Sequence, residues 1–143
     1  MTVKDILSTK GNQVLTIEPT ATLAAAVKML AQRRIGALVV TGADRRIVGI
    51  ISERDIVRVL GENGTAALDS PVAEVMTRKV VTCGQGETIA EIMERMTGGK
   101  FRHVPVVEQG RLVGIVSIGD VVKARLGELE QEHDALRDYI RTA

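Results

Sequence analysis

An α/β architecture built from two copies of one small unit is what this sequence predicts, and three observations carry the expectation. First, Gly49-Ile50-Ile51-Ser52-Glu53-Arg54-Asp55 returns as Gly114-Ile115-Val116-Ser117-Ile118-Gly119-Asp120. Second, sliding the chain along itself by 66 residues sets Val14-Leu15-Thr16 on Val80-Val81-Thr82, and Ile35 to Val40 on Phe101 to Val106. Self-similarity at a fixed period marks one supersecondary unit used again. Third, the apolar content of 45% comes from Val, Ile, Leu, Ala and Met, with one Phe, one Tyr and no Trp. Aliphatic and β-branched residues in that proportion suit strands buried under helices.

Each unit can be read in order. A short leading helix, Val3-Lys4-Asp5-Ile6-Leu7, has its counterpart in Val72-Ala73-Glu74-Val75-Met76. Val14 to Thr16 is extended, and beyond Pro19 and Thr20 the positions Leu23, Val27 and Leu30 share one helical face. Thr22 is placed to cap that helix. Gly36 opens a continuous apolar run to Val40, short enough for a buried strand. After the polar turn Gly42-Ala43-Asp44-Arg45-Arg46, Ile47 to Ile51 pairs back as a hairpin partner. Ser52 starts a closing helix through Ile56, Val57, Val59 and Leu60. In the second copy Glu87 or Thr88 opens the helix, Thr97-Gly98-Gly99 ends it, and Glu108-Gln109-Gly110 is the turn. Strand, helix, strand, strand, helix gives a three-stranded sheet with packed helices per unit. The expected division is residues 1–62 and 72–126 for the two units, 63–71 for a connecting loop rich in turn formers, and 127–143 for a C-terminal extension.

That extension continues the helix begun by Val121 and Val122. Val122, Leu126, Leu129, His133, Leu136 and Ile140 recur at spacings of 4 and 3, a heptad seam in which Gly127 is the weak position. Arg125, Glu128, Glu130, Glu132, Arg137 and Arg141 take the other faces. Two readings fit: a helix folded back on its own unit, or one that contacts a second subunit. His133 reads as a polar spacer, since no second His, Cys or acid stands at ligand spacing.

Bulk properties exclude several functions. A formal net charge of +1 provides no field for nucleic acid or an anionic membrane. Few aromatics means no stacking platform for single strands. No run is long enough to span a bilayer, and Met1-Thr2-Val3-Lys4-Asp5 leads into an amphipathic segment with no signal-type apolar stretch. The lone Cys83 fits a reducing compartment and reads as a small semi-buried residue. We therefore expect a cytoplasmic protein. No nucleophile elbow, Walker loop, zinc spacing or carboxylate cluster is present, so no enzyme is expected.

What remains is the repeated Ser-x-x-Asp. A serine where a strand meets a helix directs its hydroxyl and free backbone N–H groups at one small space, which suits an anion. The aspartate one turn on can accept hydrogen bonds from a diol such as a ribose. The same four residues also fit a capping box, in which serine and acid satisfy the first helical donors.

Taken in register, Gly49-Ile50-Ile51-Ser52-x-x-Asp55, Gly114-Ile115-Val116-Ser117-x-x-Asp120 and Phe101-Arg102-His103-Val104-Pro105-Val106 resemble a tandem pair of CBS domains, named after cystathionine β-synthase. The resemblance covers roughly residues 3 to 125. It implies two sheets packed about a pseudo-twofold axis, two clefts that hold adenosine compounds, and a homodimer shaped as a flat disc. By the same resemblance Asp55 and Asp120 would take ribose hydroxyls, and Ser52 and Ser117 phosphate or the ribose edge. Thr16 and Thr82 with their neighbours would line the opposite wall. Backbone at Ile35, Gly36 and Ala37, and at Phe101, Arg102 and His103, would read adenine, with Pro105 in the same motif. Arg102 and His103 stand where the family places phosphate-binding side chains, and a guanidinium fork matches phosphate oxygens.

Gly36 and Ala37 replace that basic pair in the first copy, so the clefts should differ, with Arg33, Arg34 or Arg54 left to compensate. Adenine would have to sit between aliphatic side chains. The ligand implied is AMP, ADP or ATP first and NAD second. Two functions follow: a sensor in which the ligand shifts the packing of the units and signals to a protein partner the sequence does not name, or a ligand-free dimeric scaffold acting through the C-terminal helix.

Overall fold

The computed structural model describes residues 1–11 and 13–142. Asn12, inside the expected first unit, and Ala143, the end of the expected extension, lie outside the described residues. Local signals account for most boundaries. Helix α1 (Val3–Lys10) starts at Thr2, whose backbone N–H donates to Asp5 Oδ2 at 2.8 Å. Strand β1 (Thr16–Ile17) leads to α2 (Leu23–Arg33), where Thr22 Oγ1 accepts from the Ala25 N–H at 3.2 Å. Arg34 ends α2 in the left-handed region, at φ 53°. Strands β2 (Ala37–Thr41) and β3 (Ile47–Ser52) form the expected hairpin, and α3 (Glu53–Asn63) follows. The second copy runs α4 (Val72–Val75), α5 (Ile89–Gly99), β4 (His103–Glu108), β5 (Arg111–Ser117) and α6 (Ile118–Thr142). Thr88 rather than Glu87 caps α5, its Oγ1 accepting from Glu91 N–H at 3.2 Å. None of the described helices is long and apolar enough to cross a membrane.

Two expectations need correction. Residues Gly64–Asp69, read as loop, form a 3₁₀ helix that packs Ala67 into the first core. The second sheet has two strands, not three. In the first unit β1 runs parallel to β2, with Thr16 opposite Val39 and Ile17 opposite Val40. The matching segment of the second unit makes only an isolated bridge from Cys83 to Val106. Pro105 explains the loss, because it stands where the first copy has Val39 and has no N–H to donate to a third strand. Its carbonyl still accepts from Cys83 N–H at 3.0 Å, so the segment is held but the ladder stops.

The two cores do not follow chain order. Leu23, Leu30, Leu38, Val40, Ile51 and Ile56 of the first copy are closed by Val72 and Val75 of α4 and by Met76, which ends it. Ile89, Ile92, Met96, Val104, Val106 and Val116 of the second copy are closed by Val3, Ile6 and Leu7 of α1. Each leading helix thus completes the other copy's core. Both crossings pass over the motif glycines. A Cβ on Gly49 would lie 2.5 Å from Met76 Sδ, and one on Gly114 2.7 Å from Leu7 Cδ2. Past the first crossing, Ile50 and Thr77 exchange two backbone hydrogen bonds, at 2.9 and 2.8 Å. The hairpin ends are joined as well, through Arg111 to Asp44 at 2.7 Å and Arg45 Nε to the Leu112 carbonyl at 3.3 Å.

If close approach is why glycine stands at these positions, Gly114→Val should lower unfolding free energy by about 1–3 kcal/mol through overpacking. Gly127→Ala, where an added Cβ meets open space, should instead stabilise α6 by up to about 1 kcal/mol. Urea denaturation of both variants checks this, and equal effects of the two would refute the crossing argument.

Candidate ligand-binding clefts

Exchange of the leading helices brings both copies around one cavity of about 690 Å³. The first unit contributes Gly36 and Ala37 where β2 begins, Ser52 where β3 ends, and Glu53, Arg54, Asp55 and Arg58 from the first turns of α3. Across from them stand Lys100, Phe101, Arg102 and His103, leading into β4. Thr77, Lys79, Val80 and Val81, from the segment after α4, form a third wall. Five cationic side chains (Arg54, Arg58, Lys79, Lys100 and Arg102) meet two carboxylates here, in a chain whose overall balance is only +1.

Asp55 lies at the bottom of this cleft and is only 4% exposed. Its Oδ2 accepts from the Ser52 N–H and the Ser52 hydroxyl, both at 3.0 Å. Its Oδ1 accepts from Thr77 Oγ1 at 3.1 Å and Arg58 Nη2 at 3.3 Å. Capping box and cleft residue are therefore one arrangement. A carboxylate offers about four acceptor directions, so a diol would have to displace one of these donors. Exposed Arg58, at the longest distance, is the easiest to move.

Around Asp120 the same motif meets a different neighbour. Ser117 N–H donates to Asp120 Oδ2 at 2.8 Å, and Asp120 N–H to Ser117 Oγ at 3.1 Å. The ammonium of Lys10, at the end of α1, lies 2.5 Å from the same Oδ2 and donates to the Ile115 carbonyl at 2.9 Å. Burial opposes ionisation of Asp120, but the Lys10 and Ser117 donors outweigh it and hold the carboxyl below the usual range. His103 sits between the two sides, its Cε1 3.3 Å from where a Gly36 Cβ would stand. Burial first, and then the Lys10 charge, keeps its imidazole below the ordinary value despite Asp120 and Glu53. Burial likewise pushes the Cys83 thiol up to about 12, which leaves it inert.

The cavity gathers eight of the residues singled out from sequence, namely Gly36, Ala37, Ser52, Arg54, Asp55, Phe101, Arg102 and His103. Ser117 and Asp120 lie outside this cavity, bonded to each other and, through Asp120, to Lys10. The others lie elsewhere. Thr16 pairs with Val39 inside the first sheet, and the Thr82 carbonyl accepts from Arg95 at 3.2 Å, so the wall falls to Lys79, Val80 and Val81. Arg34 ends α2, Ile35 packs on the first core, and Pro105 faces Ile115 in the second sheet. Arg58, Thr77, Lys79, Lys100 and Lys10 were missed. A signal for Lys10 and Lys79 did exist: setting Val3 on Val72 carries Lys10 onto Lys79, just before three extra residues, Gly11-Asn12-Gln13.

Residues 3–62 and 72–127 each match the CBS domain family. Among solved structures, a CBS-domain-containing protein of Agrobacterium tumefaciens superposes with a TM-score of 0.84 at 50% identity, over 87% of this chain and 99% of that one. The CBS domain pair of protein MJ0100, solved with 5-methylthioadenosine and S-adenosyl-L-methionine, has a TM-score of 0.79 at 29% identity, over 90% and 98%. A CBS domain protein of Pyrobaculum aerophilum complexed with AMP has a TM-score of 0.75 at 30% identity, over 84% and 89%. With both halves matched and the pair superposing as a whole, the chain belongs to the CBS domain family, as a tandem pair.

Proposed function

We propose that this protein is a non-catalytic regulatory module which binds an adenine nucleotide (AMP, ADP or ATP) in the cleft beside Asp55 and signals to a protein partner. The observation that carries the reading is the five-cation cleft around a buried aspartate. Val80, Val81, Ile50 and Ala37 supply apolar surface for a base, Asp55 faces the position of a ribose, and Arg54, Lys79, Lys100 and Arg102 surround the place of phosphates. A phosphorylated ligand fits this balance better than the two adenosine derivatives bound to the MJ0100 pair. A sulfonium would meet repulsion, and methylthioadenosine would leave the cations without anions. NAD is the second reading, disfavoured because a dinucleotide reaching toward Asp120 meets Lys10 already on that carboxylate. A single cysteine, Cys83, can form no internal disulfide, which suits a reducing compartment, and we assign the protein to the cytoplasm.

Signalling would run through Thr77. Its hydroxyl shares Asp55 Oδ1 with Arg58 while its backbone is bridged to Ile50, so a ribose that takes the place of Arg58 on that oxygen lies against Thr77 and bears on α4 and hence on the packing of the units. The size of that shift is bounded by the ligand's difference in affinity for the two arrangements.

Thermal shift with AMP, ADP, ATP, NAD, NADH and S-adenosylmethionine tests the reading on nucleotide-free protein. A ligand at about a hundred times its Kd adds about 2.7 kcal/mol, and at least one nucleotide should do so. Asp55→Ala should abolish that shift, over and above about 1 kcal/mol of lost capping, while Asp120→Asn leaves it nearly intact. Lys79→Ala and Arg102→Ala should each weaken titrated affinity by about tenfold, as losing a charged hydrogen bond implies. No shift with any ligand would transfer the function to a ligand-free scaffold. Acid should also destabilise the fold. Because His103 titrates lower when folded, the unfolded chain binds its proton first, and stability falls as pH drops below about 6.5. His103→Gln should flatten that decline between pH 7 and 5 in urea melts, and an unchanged slope would rule the residue out as its source.

A further inference from the structure

His103 opens β4 at the wall of the Asp55 cleft, half-buried and opposite Ser117 in the second sheet. Its ring lies against the first unit at Gly36, which stands where the second copy has Arg102. A Cβ on Gly36 would lie 3.3 Å from His103 Cε1, 3.7 Å from its Nε2 and 3.9 Å from the Glu53 carboxyl carbon. The missing side chain therefore lets an imidazole of one copy and a carboxylate of the other converge on one point of the cleft. Among the described residues Glu53 has no ion-pair partner. The His103 ring makes no hydrogen bond among them, yet no sealed side-chain nitrogen is left without a partner, so both its nitrogens remain accessible.

The charges facing this ring come from four sides. Lys10 of α1 and the adjacent Arg102 oppose a proton on it, while Asp120 of α6 and Glu53 of α3 favour one. Burial tips that near-balance toward the neutral ring in the nucleotide-free cleft. A phosphate on the Arg102 side reverses it. An opposite charge within about 4–6 Å favours the protonated form by about one pH unit or more. Once protonated, both ring nitrogens are donors. One then serves a phosphate oxygen, and the other serves Glu53 across Gly36.

We infer that His103 takes up a proton from the buffer when a phosphorylated nucleotide fills the Asp55 cleft, so that the module's affinity for its ligand rises with acidity. The inference rests on the nucleotide reading above and gives the same site pH as a second input.

Proton NMR tests it directly, because the chain holds two histidines and His133, exposed on α6, serves as an internal reference. His133→Gln assigns the two imidazole signals without touching the cleft. The probe is whichever of AMP, ADP or ATP gives the thermal shift, at saturation, from about pH 8 to about pH 5. The His103 signal should turn over about one pH unit higher with nucleotide than without, and the His133 signal should not move. By linkage, the wild-type Kd should fall over that range by about fivefold relative to His103→Gln. That comparison cancels the proton which the phosphate itself takes up near about pH 6. A saturated cleft with an unmoved His103 midpoint, or equal pH slopes in wild type and His103→Gln, would overturn this coupling and leave the nucleotide reading standing. Binding of none of the three nucleotides at any pH would overturn both.

Discussion

Contact between a strand without side chain and a helix from the other copy is the constraint on which this structure rests. Gly49 and Gly114 let Met76 and Leu7 reach the strand backbone. Without that clearance α1 and α4 could not close the opposite cores, and the chain segments that follow them would not reach the clefts. The same crossing carries Thr77 and Lys79 to Asp55, and Lys10 to Asp120. Core packing and site assembly are therefore one event, because the apolar face of each exchanged helix positions the polar residues at its end.

From near-identical motifs the chain builds two unlike sites. Both aspartates sit in capping boxes, and both strand carbonyls one residue after the motif glycine bond to the exchanged segment. At Ile50 the donor is the backbone N–H of Thr77, whereas at Ile115 it is the Lys10 ammonium. A neutral hydroxyl on Asp55 leaves the carboxylate charge uncompensated by that segment. An ammonium on Asp120 neutralises it. Cations instead collect around Asp55 from α3 and from the approach to β4, so this cleft is electrostatically open to an anion while the charge of Asp120 is met by Lys10.

Much of this was legible in the chain. The repeat located β2 and β3 of the first unit and met β1 at Thr16, Thr22 marked where α2 starts, and the Ser-x-x-Asp pairs marked both capping boxes. Helix exchange was not legible, because periodicity tells which face of α1 is apolar and nothing about which core receives it. The resemblance puts the wall of the cleft at Thr16 and Thr82 with their neighbours, and of those neighbours Val80 and Val81 line the cavity. The lost third strand could have been read, since Pro105 against Val39 is a missing donor visible in the letters alone. The 3₁₀ segment could not, because Gly64-Thr65-Ala66-Ala67 has the composition of a turn and coils only because Ala67 finds the first core.

Reciprocal closure of the cores also bears on how such a chain can be cut or recombined. Severing it within residues 64–69 would give one fragment that keeps α1 but lacks α4, and another with the reverse. Each piece would expose its own lid and lack the lid it needs, so neither is a self-sufficient module. Mixed together, the two pieces would have every reason to reassemble. The unit that evolution can shuffle intact is the whole pair, never the half.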